Sequence, residues 1–336
     1  MLKKLIELVR GKRVMLCTHW DADGVASGAL IYHIIKPFAL EINTVSKGKP
    51  FQIMKEDISE GSEVIICTDI QPSSEVLDMD AKIAYIDHHP FDAVNKVDFA
   101  VYDPDAQSAA SLIFEKLMPD TNNPYFVFLA LLGYFGDQGD RDAIPDTLRR
   151  KAFELIPELM QKRQSYYSDS YYYDIERYVS LLNTGKRRNW NGDIPLELLK
   201  TTDHYEPIVM GYHPLMEVLH SYKMELKSLY EQDVEVMDFG VAHCIIISNK
   251  KNIQGVLAAK HMKDKPIMVL NTVDDEVIGS LRVPDGFEFD AGSFLSAFNG
   301  KIEGFLGGGH EKAAGFTFSK KHLDLFLSMV KGCKTS

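Results

Sequence analysis

Short apolar runs that end in polar residues recur through the N-terminal part of the chain and alternate with helical patterns. This alternation is typical of β-α-β units, in which helices join buried parallel strands. A helix is expected to follow the first strand as far as about Lys36, before Pro37, and a shorter one to follow Pro72. The pattern predicts five strands, the last of them at an edge of the sheet, at 13–18, 42–45, 63–68, 82–86 and 98–102.

From about residue 108 the pattern changes to stretches with helical periodicity. The fourth predicted helix is rich in tyrosine, which is typical of packing between helices, with base stacking as the alternative. The predicted helices lie at 108–117, 125–134, 146–163 and 169–182.

Residues 184–230 are interpreted as a linker between a first domain, 1–183, and a second domain, 231–336. The predicted fold class is α/β: an N-terminal parallel-sheet domain with a helical extension, followed by a smaller α/β domain. In the second domain, strands are predicted at 234–237, 242–247, 266–271, 277–283 and 315–318, and helices at 253–261, 291–298 and 322–330.

The composition is that of a globular protein with room for two domains, at 336 residues, 45% hydrophobic and 25% charged. The segment 1–10 predicts a short amphipathic helix, without the apolar core and cleavage site of a signal peptide. No apolar run approaches the ~20 residues that cross a bilayer. We therefore expect a cytoplasmic protein without a membrane partner. The four cysteines are far apart, so Cys17 and Cys67, late in apolar runs, are predicted to be buried free thiols.

The formal charge of −11 argues against an extended nucleic-acid groove, because such surfaces are usually basic. Part of that negative charge lies in acidic motifs, and bound divalent cations would offset it. A short phosphorylated substrate held at a metal site fits this charge balance better than a long polyanion.

Four acidic motifs follow apolar segments: Asp21-Ala22-Asp23-Gly24, Asp69, Asp87-His88-His89-Pro90 and Asp137. The carboxyl ends of strands in an open α/β sheet form the usual ligand site, so we expect these motifs to converge. Carboxylates gathered in this way repel one another unless cations offset their charge.

The mixed oxygen and imidazole donors suit two divalent cations, with Mn²⁺ preferred and Mg²⁺, Co²⁺ and Zn²⁺ as alternatives. Two ions ~3.5–4 Å apart can activate water and clamp a phosphoryl group. Asp69 is the aspartate that we expect to bridge them. Each motif alone could be only a helix cap or a turn, and Asp137 has rivals in Asp140 and Asp142.

The triplet Asp87-His88-His89 is the signature of the DHH phosphoesterase superfamily, which the chain resembles over nearly its whole length. The stretch 19–24 resembles the first motif in its RecJ-like form, Asp69 falls where the second motif has its aspartate, and 133–137 resembles the fourth motif. Further along, 307–310 with 313–315 resembles the glycine-rich signature of the DHH-associated C-terminal domain, and 279–282 resembles that domain's substrate-binding strand.

This resemblance implies a catalytic role for His89, which would touch the scissile phosphate or protonate the leaving group. Asp87 would orient an imidazole or complete the site. His19 stands two residues before the first aspartate, whereas relatives have a ligand histidine four residues before it, so its place in the set stays open. The implied metal ligands are Asp21, Asp23, Asp69, His88 and Asp137.

The C-terminal motifs suggest a substrate-binding surface. Consecutive glycines can expose backbone N–H groups to an anion, a guanidinium can grip a phosphate or a terminal carboxylate, and an imidazole is a further donor. The resemblance further implies hydrolysis in a cleft between the domains. The candidate substrate-binding residues are Arg282, Gly307, Gly308, Gly309 and His310.

The leading functional prediction is a metal-dependent phosphodiesterase of short single-stranded RNA or DNA, like a RecJ-like exonuclease or an oligoribonuclease. A basic cluster, 186–188, agrees with that substrate, although charge runs are usually only solvated. The alternative enzyme acts on nucleotides such as 3′-phosphoadenosine 5′-phosphate or linear and cyclic dinucleotides. A non-catalytic subunit with a replication or repair partner is a further alternative, and a homodimer stays open.

Overall fold

The computed structural model describes residues 1–137, 140–164 and 171–333. The chain forms two compact units, Met1–Lys223 and Met224–Ser336. Each unit contains a sheet and helices, which confirms the predicted α/β class. In the first unit the strands are β1 (Arg13–His19), β2 (Glu41–Lys47), β3 (Gln52–Ile53), β4 (Val64–Thr68), β5 (Gln71–Pro72), β6 (Lys82–Asp87), β7 (Phe99–Tyr102), β8 (Lys162–Gln164) and β9 (Tyr171–Tyr173).

The main sheet of the first unit has the strand order β2-β1-β4-β6-β7, and every pairing in it is parallel. Its central strands are buried along nearly their whole length, which explains their continuous apolar runs. From β1 the chain goes to β2 on one side and later to β4 on the other. The gap between the ends of β1 and β4 is therefore a topological switch point, the usual ligand site of such sheets.

Two helices of the first unit are buried on almost every side and pack against each other. The helix after β1 begins at the N-cap Asp21, and the most apolar helix begins at the N-cap Asn123. The helices are α1 (Leu2–Val9), α2 (Ala22–Ile35), α3 (Ser74–Leu77), α4 (Ala109–Leu117), α5 (Pro124–Gly136), α6 (Asp146–Leu155), α7 (Glu176–Leu182), α8 (Thr184–Asn189), α9 (Asp193–Thr201), α10 (Glu206–Val209) and α11 (Pro214–Tyr230).

Two predicted helices are shorter than the sequence pattern suggested. Helix α6 ends at Leu155, before Pro157, because proline disfavours the helical conformation of the residue that precedes it. Of the predicted helix 169–182, only Glu176–Leu182 is helical. Tyr171–Tyr173 instead forms strand β9, which pairs with β8, and aromatic residues favour strands. Tyr166 and Tyr167 of the tyrosine-rich segment lie outside the described residues.

The segment 184–230, expected as a linker, is largely helical. Leu196, Leu198 and Leu199 of α9 are buried in the core of the first unit, and α9 packs against α2. The units divide after Lys223, inside the span of α11. The apolar positions of α9 recur at helical spacing and cover α2, so this stretch extends the first unit.

The second unit is built on a six-stranded mixed sheet with the order β10-β11-β12-β13-β15-β14. Its pairings are antiparallel except for β11 with β12. Packed phenylalanines dominate its largest core cluster. The elements are β10 (Met237–Asp238), β11 (His243–Ile247), β12 (Ile267–Val273), β13 (Glu276–Arg282), β14 (Leu306–Gly309) and β15 (Ala313–Ser319), with helices α12 (Gln254–His261), α13 (Ala291–Ser296) and α14 (Leu323–Gly332).

Within the described ranges, none of the helices has the length and apolar character needed to cross a bilayer. Cys17 and Cys67 are buried free thiols on neighbouring strands, as the sequence predicted. Burial raises the pKa of Cys17 well above its ordinary value, and its hydrogen bond with Cys67 adds to that shift.

Candidate metal centre

The parallel sheet brings the acidic motifs to one edge. His19 and Asp87 are the last residues of β1 and β6, and Asp69 directly follows β4. Asp69 has a φ of 57°, a left-handed conformation that aspartate tolerates better than most residues. The remaining carboxylates come from the beginning of α2 and the end of α5. Residues far apart in sequence therefore meet at the switch point of the sheet.

One group of side chains consists of His19, Asp21 and Asp69. Nδ1 of His19 lies 3.0 Å from Oδ2 of Asp21 and 3.5 Å from Oδ2 of Asp69. The other oxygen of Asp21 accepts a hydrogen bond from the N–H of Gly24, which fixes this carboxylate at the helix N-terminus. One ligand atom from each of the three residues lies within 4.8 Å of the others, close enough for one cation.

A second group consists of Asp23, His88 and Asp137. Nε2 of His88 lies 3.9 Å from Oδ2 of Asp23 and 3.4 Å from Oδ2 of Asp137. Nδ1 of His88 lies 3.0 Å from the carbonyl oxygen of Ala106, to which it can donate. That bond leaves Nε2 as the nitrogen that faces the carboxylates, the usual arrangement of a metal-binding histidine.

Asp69 lies between the two groups. Its Oδ2 faces His19, and its Oδ1 lies 3.6 Å from Nε2 of His88 and 3.5 Å from Nδ1 of His89. Oδ1 of Asp69 and Nε2 of His88 are buried and have no hydrogen-bond partner. Buried polar atoms are rarely left unpaired, and a carboxylate oxygen facing an imidazole nitrogen is a suitable donor pair for a divalent cation. The residues therefore fit the metal ions that the sequence motifs imply.

Asp87 is buried, and both of its carboxylate oxygens accept hydrogen bonds from residues close to it in sequence. Its Oδ1 accepts from the backbone N–H groups of His88 and His89 and lies 2.9 Å from Nδ1 of His89, and its Oδ2 accepts from Tyr85. This carboxylate orients both histidines. Nε2 of His89 points away from that bond, on a side chain that is 50% exposed, so His89 can reach a bound substrate.

The charges of the centre shift several pKa values. Burial alone would lower the pKa of His19, but Asp21 and Asp69 outweigh burial and raise that pKa to about 10. Burial likewise opposes protonation of His88, while Asp69, Asp23 and Asp137 raise its pKa to about 10. Burial and the charge of Asp69 raise the pKa of Asp23 well above its usual range. Protons thus offset part of the negative charge where cations would otherwise do so.

A close contact explains the glycine of the fourth motif. A Cβ at Gly133 would lie 2.4 Å from Oδ1 of Asp23 and 2.3 Å from Cβ of Ala110. Asp23 itself is fixed by the backbone N–H groups of Ala109 and Ala110, at the beginning of α4. Gly133 therefore allows α5 to approach α2 and α4, which brings Asp137 to the centre.

The five implied metal ligands come together, and His19, whose place the sequence left open, lies with them: His19, Asp21, Asp23, Asp69, His88 and Asp137. The rival carboxylates of Asp137 do not join them, since Asp142 accepts a hydrogen bond from Tyr171 and Oδ1 of Asp140 accepts one from the backbone N–H of Asp142. Sequence reasoning missed Tyr85 beneath Asp87. It also missed that Nζ of Lys186 lies 3.3 Å from Oδ2 of Asp21, because its helix α8 falls in the stretch interpreted as a linker.

The candidate substrate-binding residues of the second unit lie at one end of its sheet. Arg282 ends β13 and is paired with Ala313 of β15, while Gly309 at the end of β14 is paired with Ala314. Burial lowers the pKa of the Arg282 guanidinium. Within the described ranges no carboxylate lies in ion-pair distance of Arg282, an environment that favours an anionic ligand.

The glycine run differs from the expected anion-binding loop. Gly307, Gly308 and Gly309 belong to the edge strand β14, because they pair in antiparallel register with the regular strand β15. The N–H of Gly307 donates to Oδ1 of Asn299 and is therefore not available to a ligand. His310 is exposed in the turn that follows β14.

Comparisons with known proteins agree with this architecture. The DHH family N-terminal domain matches residues 13–134, and the DHHA1 domain matches residues 240–335. No match to this chain was found among curated proteins.

Solved structures share the fold at low sequence identity. RecJ from Thermus thermophilus in complex with Mn²⁺ is 17% identical with a TM-score of 0.66, over 98% of this chain and 53% of RecJ. This chain thus spans about half the length of that protein. An exonuclease RecJ bound to manganese is 18% identical with a TM-score of 0.64, over 98% and 92% of the two chains. An exopolyphosphatase-related protein from Bacteroides fragilis is 15% identical with a TM-score of 0.55, over 98% and 95%.

Residues 13–134 and 240–335 thus each match a family model, and the signature residues of the first region meet in a single centre. The chain belongs to the DHH family of metal-dependent phosphoesterases, with a DHHA1 domain after its DHH domain.

Proposed function

We propose that this protein is a metal-dependent phosphodiesterase that hydrolyses short single-stranded oligonucleotides and releases mononucleotides from one end. The observation that carries the proposal is the position of Asp69 between the two ligand groups, with Oδ2 3.5 Å from Nδ1 of His19 and Oδ1 3.6 Å from Nε2 of His88. Oδ1 of Asp69 and Nε2 of His88, two possible ligand atoms, are buried without hydrogen-bond partners. A carboxylate placed between two such groups is the arrangement expected of a two-cation site for phosphoryl transfer.

His19, Asp21 and Asp69 would hold one divalent cation, and Asp23, His88 and Asp137 would hold the other, with Asp69 common to both. Mn²⁺ is the proposed ion, with Mg²⁺, Co²⁺ and Zn²⁺ as alternatives. When bound, such ions supply an activated water and neutralise the charge that develops on a phosphoryl group.

The chain's own residues position the substrate and move a proton. His89 is held by Asp87 through Nδ1, so its Nε2 is free to contact a non-bridging phosphate oxygen or to protonate the leaving oxygen. Water attacks phosphorus and the ester P–O bond breaks. The leaving oxygen takes a proton from Nε2 of His89, and the proton released by the attacking water restores His89. Asp87 accepts four hydrogen bonds, and we assign it the positioning of His88 and His89 rather than a separate role as a base.

The second unit is proposed to bind the remainder of the substrate. Arg282 is partly buried and has no carboxylate partner among the described residues, so a phosphate would satisfy its charge. Gly308, Gly309 and His310 lie at the same end of the sheet and would line that site. Gly307 would contribute close backbone approach rather than its N–H, which Asn299 already accepts.

An oligonucleotide ladder tests the proposal directly. Purified protein with Mn²⁺ is incubated with end-labelled oligonucleotides from two to about twenty nucleotides, a span that separates a compact pocket from a long groove. A parallel reaction contains 3′-phosphoadenosine 5′-phosphate. We expect the oligonucleotides to be shortened stepwise to mononucleotides, with the shortest ones consumed fastest.

Two other outcomes would assign different functions. If only 3′-phosphoadenosine 5′-phosphate or dinucleotides are consumed, the protein is a small-molecule phosphoesterase. If neither oligonucleotides nor small nucleotides are consumed, and Asp69→Ala and His89→Ala leave partner binding unchanged, the protein is a non-catalytic subunit. Under our proposal both substitutions abolish hydrolysis, whereas Asp120→Ala, at an exposed carboxylate in a loop, leaves it intact.

A further inference from the structure

Disfavoured backbone conformations are concentrated beside the candidate metal centre. Over the described ranges, four residues other than glycine have a positive φ: Phe51 (66°), Asp69 (57°), Trp190 (59°) and Asp274 (50°). Asp69 belongs to the centre, and the rings of Phe51 and Trp190 both lie against Trp20, the neighbour of His19. Large side chains rarely adopt a positive φ, and residues held in it cluster at functional sites.

Phe51, Trp20 and Trp190 form what we call the aromatic shelf. The ring centroids of Trp20 and Phe51 are 6.3 Å apart in an edge-to-face contact, and those of Trp20 and Trp190 are 6.0 Å apart. Trp20 is only 6% exposed and is fixed against the backbone of Gly48. The Phe51 ring also lies 6.2 Å from that of His19, so the shelf borders the first ligand group.

The position of Phe51 is tied to that of Asp69. Phe51 directly precedes β3, which pairs with β5, two residues after Asp69. The carbonyl of Ile53 in β3 accepts the N–H of Ser73, and Ile53 is fully buried. The chain thus holds this loop firmly at the edge of the centre.

Packing does not account for Phe51. Its side chain is 56% exposed, although its ring is apolar and its backbone is strained. None of the other large hydrophobic residues found exposed in the described ranges combines exposure with a positive φ. An exposed aromatic face next to a centre that would hold phosphate is the arrangement expected of a base-stacking platform.

We propose that the exposed face of Phe51 stacks on a nucleobase of the substrate, adjacent to the phosphate held at the candidate metal centre, an inference that rests on the proposed function. A base presents a flat uncharged surface, which suits a neighbourhood crowded with carboxylates. Stacking is tolerant of sequence because every base has such a surface. The shelf therefore selects nucleotides over phosphate esters that lack a base, without selecting among the bases.

The experiment measures binding of 5′-AMP in Mg²⁺, with ribose 5-phosphate as the ligand that lacks a base. Both tryptophans of the chain belong to the shelf, so their fluorescence reports on it specifically. We expect 5′-AMP to change the tryptophan emission and ribose 5-phosphate to leave it unaltered. Phe51→Ala should weaken 5′-AMP binding by about 5- to 150-fold, the range of one lost base-stacking contact, and Phe51→Tyr should retain it. Phe153→Ala, at an exposed phenylalanine on α6, is the matched control and should bind like the wild type.

A second pair of variants separates binding from stability. Phe51→Gly and Phe51→Ala both remove the ring, but glycine adopts a positive φ without strain. We expect the glycine variant to unfold at the higher temperature while both lose 5′-AMP affinity equally. A purely structural Phe51 would instead leave 5′-AMP affinity unchanged in both variants, and that result would overturn the proposal.

The shelf and the proposed function can fail separately. If the wild type hydrolyses oligonucleotides but 5′-AMP binds Phe51→Ala and the wild type equally, the shelf is refuted and the hydrolase stands. If no oligonucleotide is hydrolysed but 5′-AMP binding still requires Phe51, base stacking is supported and the proposed reaction is wrong. Equal effects of 5′-AMP and ribose 5-phosphate on the emission would also refute the shelf.

Discussion

The two sheets of this protein gather their candidate functional residues in different ways. In the first unit, parallel strands end at the same edge, and the three central strands β1, β4 and β6 end in or beside a titratable residue: His19, Asp69 and Asp87. In the second unit, antiparallel pairing sets the end of β13 with Arg282 beside the beginning of β15 with Ala313. The parallel sheet therefore concentrates charge at a single edge, whereas the mixed sheet of the second unit offers one guanidinium at a strand end.

This difference has an energetic consequence. The centre of the first unit contains buried side-chain oxygen and nitrogen atoms without hydrogen-bond partners. It also contains carboxylates close enough to shift one another's pKa values. The main core of the second unit is an apolar cluster in which Phe305, Phe316, Phe318 and Phe326 contact one another. The first unit should depend on cations for its stability, and the second should not.

The largest expected effect is at Asp69, the carboxylate that lies between the two ligand groups. Asp69→Asn removes the negative charge but keeps the shape, so we expect hydrolysis to fall by more than about 100-fold, beyond the cost of losing an outer-shell partner. Mn²⁺ binding, measured by calorimetry, should weaken at both sites. Asp120→Asn should match the wild type, and a variant at Asp69 that keeps full Mn²⁺ stoichiometry would contradict its shared position.

Metal addition should stabilise one unit and not the other. At a Mn²⁺ concentration about 100 times the dissociation constant, linkage adds about 2.7 kcal/mol to the free energy of unfolding. Hydrogen exchange should show the added protection at the ends of β1, β4 and β6, and EDTA should reverse it. Equal protection of β12, β13 and β15 would show that the units do not differ in the way described.

Substitution of Arg282 should separate substrate binding from metal binding. Arg282→Ala removes charge-assisted hydrogen bonds worth about 1.5–3 kcal/mol, so KM for a dinucleotide should rise about 10- to 100-fold. The affinity for Mn²⁺ should stay the same, because the proposed ligands all belong to the first unit. Arg150→Ala, at an exposed arginine of α6, is the matched control. A loss of Mn²⁺ affinity in Arg282→Ala would contradict the assignment of substrate binding to Arg282 and of metal binding to the first unit alone.

The smallest predicted effect concerns two glycines of the second sheet. A Cβ at Gly279 would lie 1.9 Å from the ring of Phe316, whereas a Cβ at Gly308 would have its nearest neighbour, Oγ of Ser296, at 3.5 Å. Gly279→Ala should therefore cost about 1–3 kcal/mol of unfolding free energy through overpacking, and Gly308→Ala should cost less. Thermal unfolding of the second unit measures both, and the reverse order would contradict the packing described.

The sequence predicted the parallel sheet and its centre well because both follow from local patterns. Apolar runs fix the strands, and parallel strands must end at the same edge, so Asp69 and His88 could be expected to meet. Motif order alone could not decide the place of His19. The structure brings it against Asp21 and Asp69, because β1 ends at the same edge as β4.

Tertiary packing decided what the sequence could not show. Lys186 reaches Asp21 only because α8 belongs to the first unit, and the polar sequence of α8 itself does not reveal this. The left-handed conformation of Phe51 has no sequence signal, since phenylalanine normally avoids it. The glycines 307–309 resembled a loop because glycine is rare within strands. They form a strand only through their pairing with β15.

Anomalous diffraction from crystals soaked in Mn²⁺ tests the central claim most directly. We expect two manganese peaks about 3.5–4 Å apart, one bound by His19 and Asp21 and the other by Asp23, His88 and Asp137, with Asp69 between them. A single peak, or peaks away from these six residues, would contradict the account.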